Sequence, residues 1–292
     1  MPAVQTLGNV LRLCLRRQKL PRLPLLLTYL SLLARQALGH GNPGAVRILG
    51  QTIHCGRLSD VIAVFEEIFI YRYYDINAGT QRPRIIEGGA NIGLAVAYLK
   101  LIYPDARIDA FEAEPKTAAL LASTIRANGW PDVTLHPFAL WSEDALLRFG
   151  TFDEHAGSPV ASVFDYVSGQ QHTAYGEIPG KRLSPFVDSA VDLLILNIEG
   201  AECAVIGELA ASGRLSRIRQ MIIEIHQDNG SDKDLVPGLL EALTGGGFGY
   251  RLHVSGVPFT PDRFQNYMLY AYNVRDFPAE AGTRVLQPHN GR

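Results

Sequence analysis

The chain has 292 residues, 47% of them apolar, and a formal charge of −2. That is ample for one large packed core and gives no electrostatic reason to expect a nucleic-acid partner. Three scattered cysteines, Cys14, Cys55 and Cys203, suggest neither a disulfide framework nor a zinc site, and reduced thiols in a cytoplasmic setting are the simplest expectation.

Charge is segregated along the chain. Residues 1–59 carry Arg12, Arg16, Arg17, Lys19, Arg22, Arg35, Arg47 and Arg57 and no acidic residue, so the net −2 splits into +8 there and −10 in the remainder. Leu23 to Ala34 is leucine-rich, but it is shorter than the roughly 18 to 20 apolar residues of a spanning helix, and Pro24, Thr28 and Ser31 interrupt it. A secretory signal would put its basic residues nearer the start, ahead of a small-residue cleavage site, and neither feature is convincing. Residues 1–44 are therefore expected to form a basic helical extension, for which two readings stand. It lies on an anionic membrane or receives a lipid-linked substrate, making a cytoplasmic protein membrane-associated. Alternatively it packs on the core or on a partner chain, with its arginines merely solvated.

His40-Gly-Asn-Pro-Gly44 marks a turn, and Val46 to Ile53 reads as a short hairpin. Asp60 to Tyr71 has helical spacing, with Val61, Val64, Phe65, Ile68 and Phe69 on one face. Strands are then expected at Ile85–Ile86, Ile108–Phe111, Val133–Pro137, Leu193–Ile198, Met221–Ile225, Tyr250–Val254 and Tyr267–Tyr272. Helices are expected at Leu94–Leu101, Lys116–Asn128, Cys203–Ala211 and Asp234–Leu243. Such alternation predicts an α/β, doubly wound, mostly parallel sheet over residues 45–275, with a tail at 276–292. The short connection between the last two strands suggests an antiparallel edge hairpin. Residues 142–190, rich in Ser, Gly, Gln and His, interrupt the alternation. They read as a hairpin plus a cap over the site, with Ser158 and Ser162 at its entrance, or else as a surface insertion.

The most informative stretch is Arg84-Ile-Ile-Glu-Gly-Gly-Ala-Asn-Ile-Gly93: a buried strand, a glycine turn and the start of a helix. Glu112 follows about 20 residues later at the tip of the next strand, where a carboxylate can accept both hydroxyls of a ribose. Glu87 argues against a dinucleotide, because a carboxylate beside the loop repels a pyrophosphate. It suits the methionyl ammonium of S-adenosylmethionine. The loop Gly89, Ala90, Asn91 and Gly93 allows close backbone approach to such a donor, with Asn91 lining the tail pocket and Ala113 and Ala139 flanking the adenine.

Together with Ala110-Phe-Glu-Ala-Glu-Pro115, Asn128, Ala139-Leu140, Asp192-Leu-Leu-Ile-Leu-Asn-Ile-Glu-Gly-Ala-Glu202 and Ile223-Glu-Ile-His226, these motifs resemble the FkbM family of S-adenosylmethionine-dependent methyltransferases over roughly residues 45–275. The resemblance implies a seven-stranded, Rossmann-like class I methyltransferase fold and O-methylation, often of a sugar hydroxyl or a related metabolite. Three positions depart from the family pattern. Ile195 and Asn197 stand where Lys and Asp are usual, and Glu87 replaces the usual Asp.

Ligands of such sheets sit outside the carboxyl ends of the strands, which makes Asn197, Glu199, Glu224 and His226 the candidates for handling an acceptor hydroxyl. His226 has the intrinsic pKa of a base near neutrality; its bland alternative is a histidine bonded to backbone at a strand end. Glu199 could deprotonate the acceptor, hold a sugar hydroxyl, ligate a metal, or simply cap the helix starting near Ala201. Glu202 reads as first-turn helix electrostatics. Glu199, Glu224 and His226 could form a divalent-metal site, although nothing in the spacing demands one. The expected acceptor is a small molecule or glycan. The loss of Asp at 197 keeps open a non-catalytic S-adenosylmethionine-binding or scaffold module, and a nicotinamide-dependent oxidoreductase is disfavoured by Glu87.

Overall fold

The structure is a computed structural model that describes residues 2–15, 19–151, 162, 166–167, 170–171, 174–226, 236–254 and 266–277. Two helices, α1 (Pro2–Leu15) and α2 (Arg22–Ala37), precede a hairpin of β1 (Gly44–Ile48) and β2 (Gln51–Cys55). Helix α2 turns Leu25, Tyr29 and Leu32 inward at one-face helical spacing, where they join Leu13 of α1 in the main core. The extension thus packs on the body of the protein. No helix among the described residues is long and apolar enough to cross a membrane.

The helix expected over residues 60–71 is two kinds of helix. Regular α3 (Leu58–Phe65) runs into a π-helical turn at Glu66–Tyr71, which Arg72 closes in the left-handed conformation at φ 65°. Apolar spacing at this length suits either winding, so burial pattern alone does not distinguish them.

Strand–helix alternation then follows through β3 (Arg84–Gly88), α4 (Leu94–Ile102), β4 (Arg107–Phe111), α5 (Pro115–Asn128) and β5 (Val133–His136). Next come β6 (Ala139–Leu140), β7 (Ala145–Thr151), the two-residue pair β8 (Tyr166–Val167) and β9 (Gln170–Gln171), and β10 (Ala174–Lys181). The chain resumes the alternation with β11 (Leu193–Leu196), α6 (Glu202–Ala211), β12 (Gln220–Ile225), α7 (Val236–Gly245), β13 (Phe248–Val254) and β14 (Tyr267–Asn273).

Seven of these strands form one sheet in the order β13-β14-β12-β11-β3-β4-β5, with only β14 antiparallel to its neighbours. This is the class I methyltransferase, Rossmann-like α/β architecture. Strand alternation divides the core between its two faces: Ile85, Leu193 and Ile195 point to the side of α4 and the N-terminal helices, Ile86, Leu194 and Leu196 to the side of α6 and α7. The chain runs outward from β3 through β4 to β5, and outward the other way from β11 to β12. The reversal point, where a crevice opens at the carboxyl ends, therefore lies between β3 and β11.

The interruption after residue 142 contains the expected hairpin. β7 pairs with β10 in antiparallel fashion, and β10 also joins β6 to make a three-stranded sheet. Ser158 lies outside the described residues. Ser162 is not at an entrance: it is buried, bridges Gly150, and donates its hydroxyl to the Glu199 carbonyl at 2.6 Å.

Candidate active site

A cleft enclosing about 980 Å³, its mouth included, opens at the carboxyl edge of the sheet over the β3–β11 reversal. Its walls include Glu87, Gly89, Ala90, Asn91, Glu112, Ala113, Ala139, Asn197 and Glu199. Nine of the sequence-predicted site residues are thus brought together from four loops. Gly93 and His226 do not line it.

One side of the cleft is built by β3 and β4. After β3 the backbone turns through Gly89 at φ 82°, and its N–H and that of Ala90 both donate to the Phe111 carbonyl, at 3.0 and 2.9 Å. A side chain at Gly89 would collide with the Asn197 carbonyl oxygen, so only glycine fits between the loops of β3 and β11. Gly93, also left-handed, caps α4, and a Cβ there would meet Leu121 Cδ1 at 2.8 Å. Its part is to let α4 approach α5 rather than to touch a ligand.

Glu87 is 1% exposed, and its Oε2 has no hydrogen-bond partner. Burial, reinforced by the charge of Glu112, pushes its carboxyl up to about 8. Glu112 is anchored more firmly: Oε2 accepts the N–H of Asn91 at 2.8 Å and Oε1 that of Glu114 at 2.9 Å. Burial raises its carboxyl to about 7 against the opposing pull of those backbone donors. A carboxylate has further lone pairs free after two such bonds. Glu114 is occupied elsewhere, capping α5 through the N–H groups of Lys116 and Thr117, with Pro115 in the first turn.

The other side is built by the loop after β11. Glu199 holds a left-handed backbone at φ 54°, and Asn91 across the cleft has φ 48°; both are unusual for non-glycine residues and store local strain of about 1–3 kcal/mol each. Glu199 Oε2 and Asn197 Oδ1 are buried without partners. Burial pushes the Glu199 carboxyl up to about 8, partly offset by His226.

His226 sits one side chain behind Glu199. Its Nδ1 lies 3.0 Å from Glu202 Oε1 and its Nε2 3.5 Å from Glu199 Oε1, with Glu224 Oε1 at 3.9 Å. Burial alone would favour the neutral ring, but the three carboxylates outweigh it and raise the imidazole well above its usual value. A ring held among these acids is biased toward its protonated form, which balances their charge. Among the described residues its ring meets carboxylates rather than backbone. Glu202 is more than helix electrostatics: it accepts the N–H groups of Ile198 at 2.9 Å and Gly200 at 3.1 Å in the turn before α6, whose N-terminus has no side-chain cap from Glu199 or any other residue among those described. Among the described residues no group of three or more His, Cys, Asp or Glu is placed to hold a metal ion.

Motif reasoning missed Glu67 and Ile68, which the π turn presents to the cleft, and Tyr74, Phe138 and Phe149. Tyr74 is buried, and the Asn197 amide reaches its hydroxyl at 3.5 Å. Only Glu67 left a trace in the sequence, as one of two adjacent acids on an otherwise apolar helix.

The Methyltransferase FkbM domain matches residues 87–252. Methyltransferase 1 of Beauveria bassiana (strain ARSEF 2860) is 26% identical over 230 residues, which cover 73% of this chain and 90% of that protein. Methyltransferase sdnD of Sordaria araneosa is 40% identical over 65 residues, 22% of this chain and 25% of the other. Among solved structures, a methyltransferase FkbM from Methylobacillus flagellatus KT aligns with 83% of this chain and 59% of its own, at 16% identity and a TM-score of 0.44.

Proposed function

Since the chain belongs to the FkbM family of S-adenosylmethionine-dependent methyltransferases, we propose that its cleft methylates a hydroxyl of a sugar, a glycan precursor or a related metabolite. The observation that carries this reading is the row of side chains across the sheet edge. Ala139 after β5, Glu112 after β4, Glu87 at the end of β3 and Glu199 after β11 stand in the sheet's spatial order and line one cavity. The unpartnered Glu87 Oε2 fits an ammonium, and the lone pairs left on Glu112 fit a ribose diol. The small side chains of Ala113 and Ala139 leave room for an adenine ring. When bound, S-adenosylmethionine supplies a methyl group on a sulfonium, a donor that needs no further activation.

The protein's task is then alignment and proton removal. Alignment of reactants is worth on the order of 7 kcal/mol in such systems. Glu199, with its buried free oxygen, accepts the proton of the acceptor hydroxyl, and Asn197 Oδ1 accepts a second hydroxyl of the same molecule. His226 and Glu202 hold Glu199 in place and balance its charge. Unpartnered acceptors in this half of the cleft favour a ligand rich in donors, as a polyol is.

The test is calorimetry with S-adenosylmethionine followed by transfer assays on a panel of sugars and glycosides. Saturable binding that Glu112→Ala abolishes, together with methyl ethers in the product, supports the reading. Absence of binding to folded protein, or methylation confined to nitrogen or carbon acceptors, overturns it.

A further inference from the structure

The N-terminal helices have a second apolar face that the fold does not use. In α2, Leu25, Tyr29 and Leu32 are buried, while Leu23, Leu27 and Leu30 repeat the same spacing two residues earlier, about 200° around the helix, and stand 64%, 57% and 43% exposed. Helix α1 repeats the arrangement, with Asn9 and Leu13 buried and Leu7 and Leu11 at 62% and 50%. Leu38, just past α2, is open as well. A helix that is apolar on opposite sides has two surfaces to bury, and contiguous exposed leucines mark an interaction site.

The charge around these leucines identifies the occupant. Residues 1–59 hold eight basic side chains and no acid, on a chain that is otherwise net negative. Arg22 and Arg47 are exposed. The cations also have protein partners: Lys19 pairs with Asp75 at 2.9 Å, Arg12 lies 4.8 Å over the Tyr71 ring and Arg47 donates to the Gly50 carbonyl at 2.9 Å. Within residues 1–59, however, every charged side chain is basic, and the acids these helices meet, Asp75 and Glu66, belong to the body of the fold. A second copy of the chain would bring the same positive charge against itself, whereas an anionic lipid surface offers apolar depth and complementary charge at once.

We infer that α1 and α2 seat the protein on an anionic membrane surface, with the Leu7/Leu11 and Leu23/Leu27/Leu30 stripes entering the acyl boundary and the flanking basic residues meeting the headgroups. The extension therefore does two things: its inner faces complete the core and its outer faces hold the enzyme at a bilayer. This role is independent of which acceptor the cleft methylates.

The test is flotation of the full-length protein with vesicles of phosphatidylcholine and phosphatidylglycerol in equal parts, beside vesicles of phosphatidylcholine alone. The protein is expected to float with the anionic vesicles at low salt. Apparent affinity should fall by at least about tenfold when ionic strength is raised from about 0.05 M to about 0.5 M. The Leu23→Glu/Leu27→Glu variant should lose binding to the same extent while still binding S-adenosylmethionine as the parent does, which separates this outcome from misfolding and from failure of the methyltransferase reading. Three results would overturn the inference: parent protein that stays at the bottom of the gradient with anionic vesicles, a variant that floats as well as the parent, or a stable dimer by light scattering that the variant converts to monomer. If that variant does not fold, Leu7→Glu/Leu11→Glu serves in its place, and the salt dependence of the parent stands as a separate check.

Discussion

Glu202 Oε1 lies 3.0 Å from His226 Nδ1, and the same carboxylate gathers the N–H groups of Ile198 and Gly200. One buried acid thus ties the end of β12 to the turn after β11 and fixes the backbone from which Asn197 and Glu199 project. Glu202→Ala should destabilise the fold by about 3 kcal/mol, because it leaves backbone donors and a buried imidazolium without their acceptor. Glu202→Gln, which keeps one acceptor oxygen, should cost less. Urea denaturation monitored by circular dichroism measures both.

Gly89→Ala should cost donor affinity at least about 100-fold, since its Cβ falls on the Asn197 carbonyl and must push the loops of β3 and β11 apart. Gly129, also left-handed at φ 60° but facing open space, is the control. Gly129→Ala should lose only about 1 kcal/mol of stability and bind S-adenosylmethionine normally. Calorimetry with both variants distinguishes close approach from backbone strain.

Stability of the ligand-free protein should fall as pH rises from about 5 to about 8. Glu87, near 8, and Glu112, near 7, titrate above their ordinary value of 4.5 because they are buried. Across that window the folded chain therefore keeps protons that the unfolded chain has released, and each rise in pH favours unfolding. Glu199 acts in the same sense. Thermal denaturation at a series of pH values should show a falling Tm, and Glu87→Gln should make the slope shallower. S-adenosylmethionine should raise Tm more at pH 8 than at pH 6, because ionised Glu87 is the better partner for its ammonium.

Glu199→Gln should lower kcat by about 100-fold or more, the usual worth of a positioned base, and leave donor affinity unchanged. The parent's rate should climb through the pH range around 8 as the carboxyl ionises, and the variant's profile should be flat there. A parent profile that tracks the ordinary pKa of a free histidine would instead return the base role to His226.

The β3–β4 half of the cleft was legible in the sequence because it is local. Strand, glycine turn and acid lie between Arg84 and Glu112, close enough along the chain for their meeting at the sheet edge to be read from spacing. The seven strands were legible for the same reason: runs such as Leu193–Leu196 are apolar from end to end, as strands buried on both faces must be. The acceptor half was not. His226 lies 24 residues from Glu202, and only the β11–β12 pairing brings the two together and surrounds the ring with acids. Glu67 and Tyr74 belong to no motif and reach the cleft through a helix whose winding changes midway.

That change of winding has a consequence for how acceptor preference can diverge. A π turn holds one residue more than the α-helix it interrupts, so its register is a matter of a single amino acid. Deleting one residue between Glu66 and Tyr71 would let the segment relax to ordinary α winding, changing the register of its own side chains while the regular turns of α3 stay as they are. Glu67 and Ile68 would leave the cavity wall together, and other side chains would take their place while the glycine loop stayed as it is. In a protein built this way, that wall of the cleft can be re-lined in one step by insertion or deletion, further than substitution of a single lining residue would carry it.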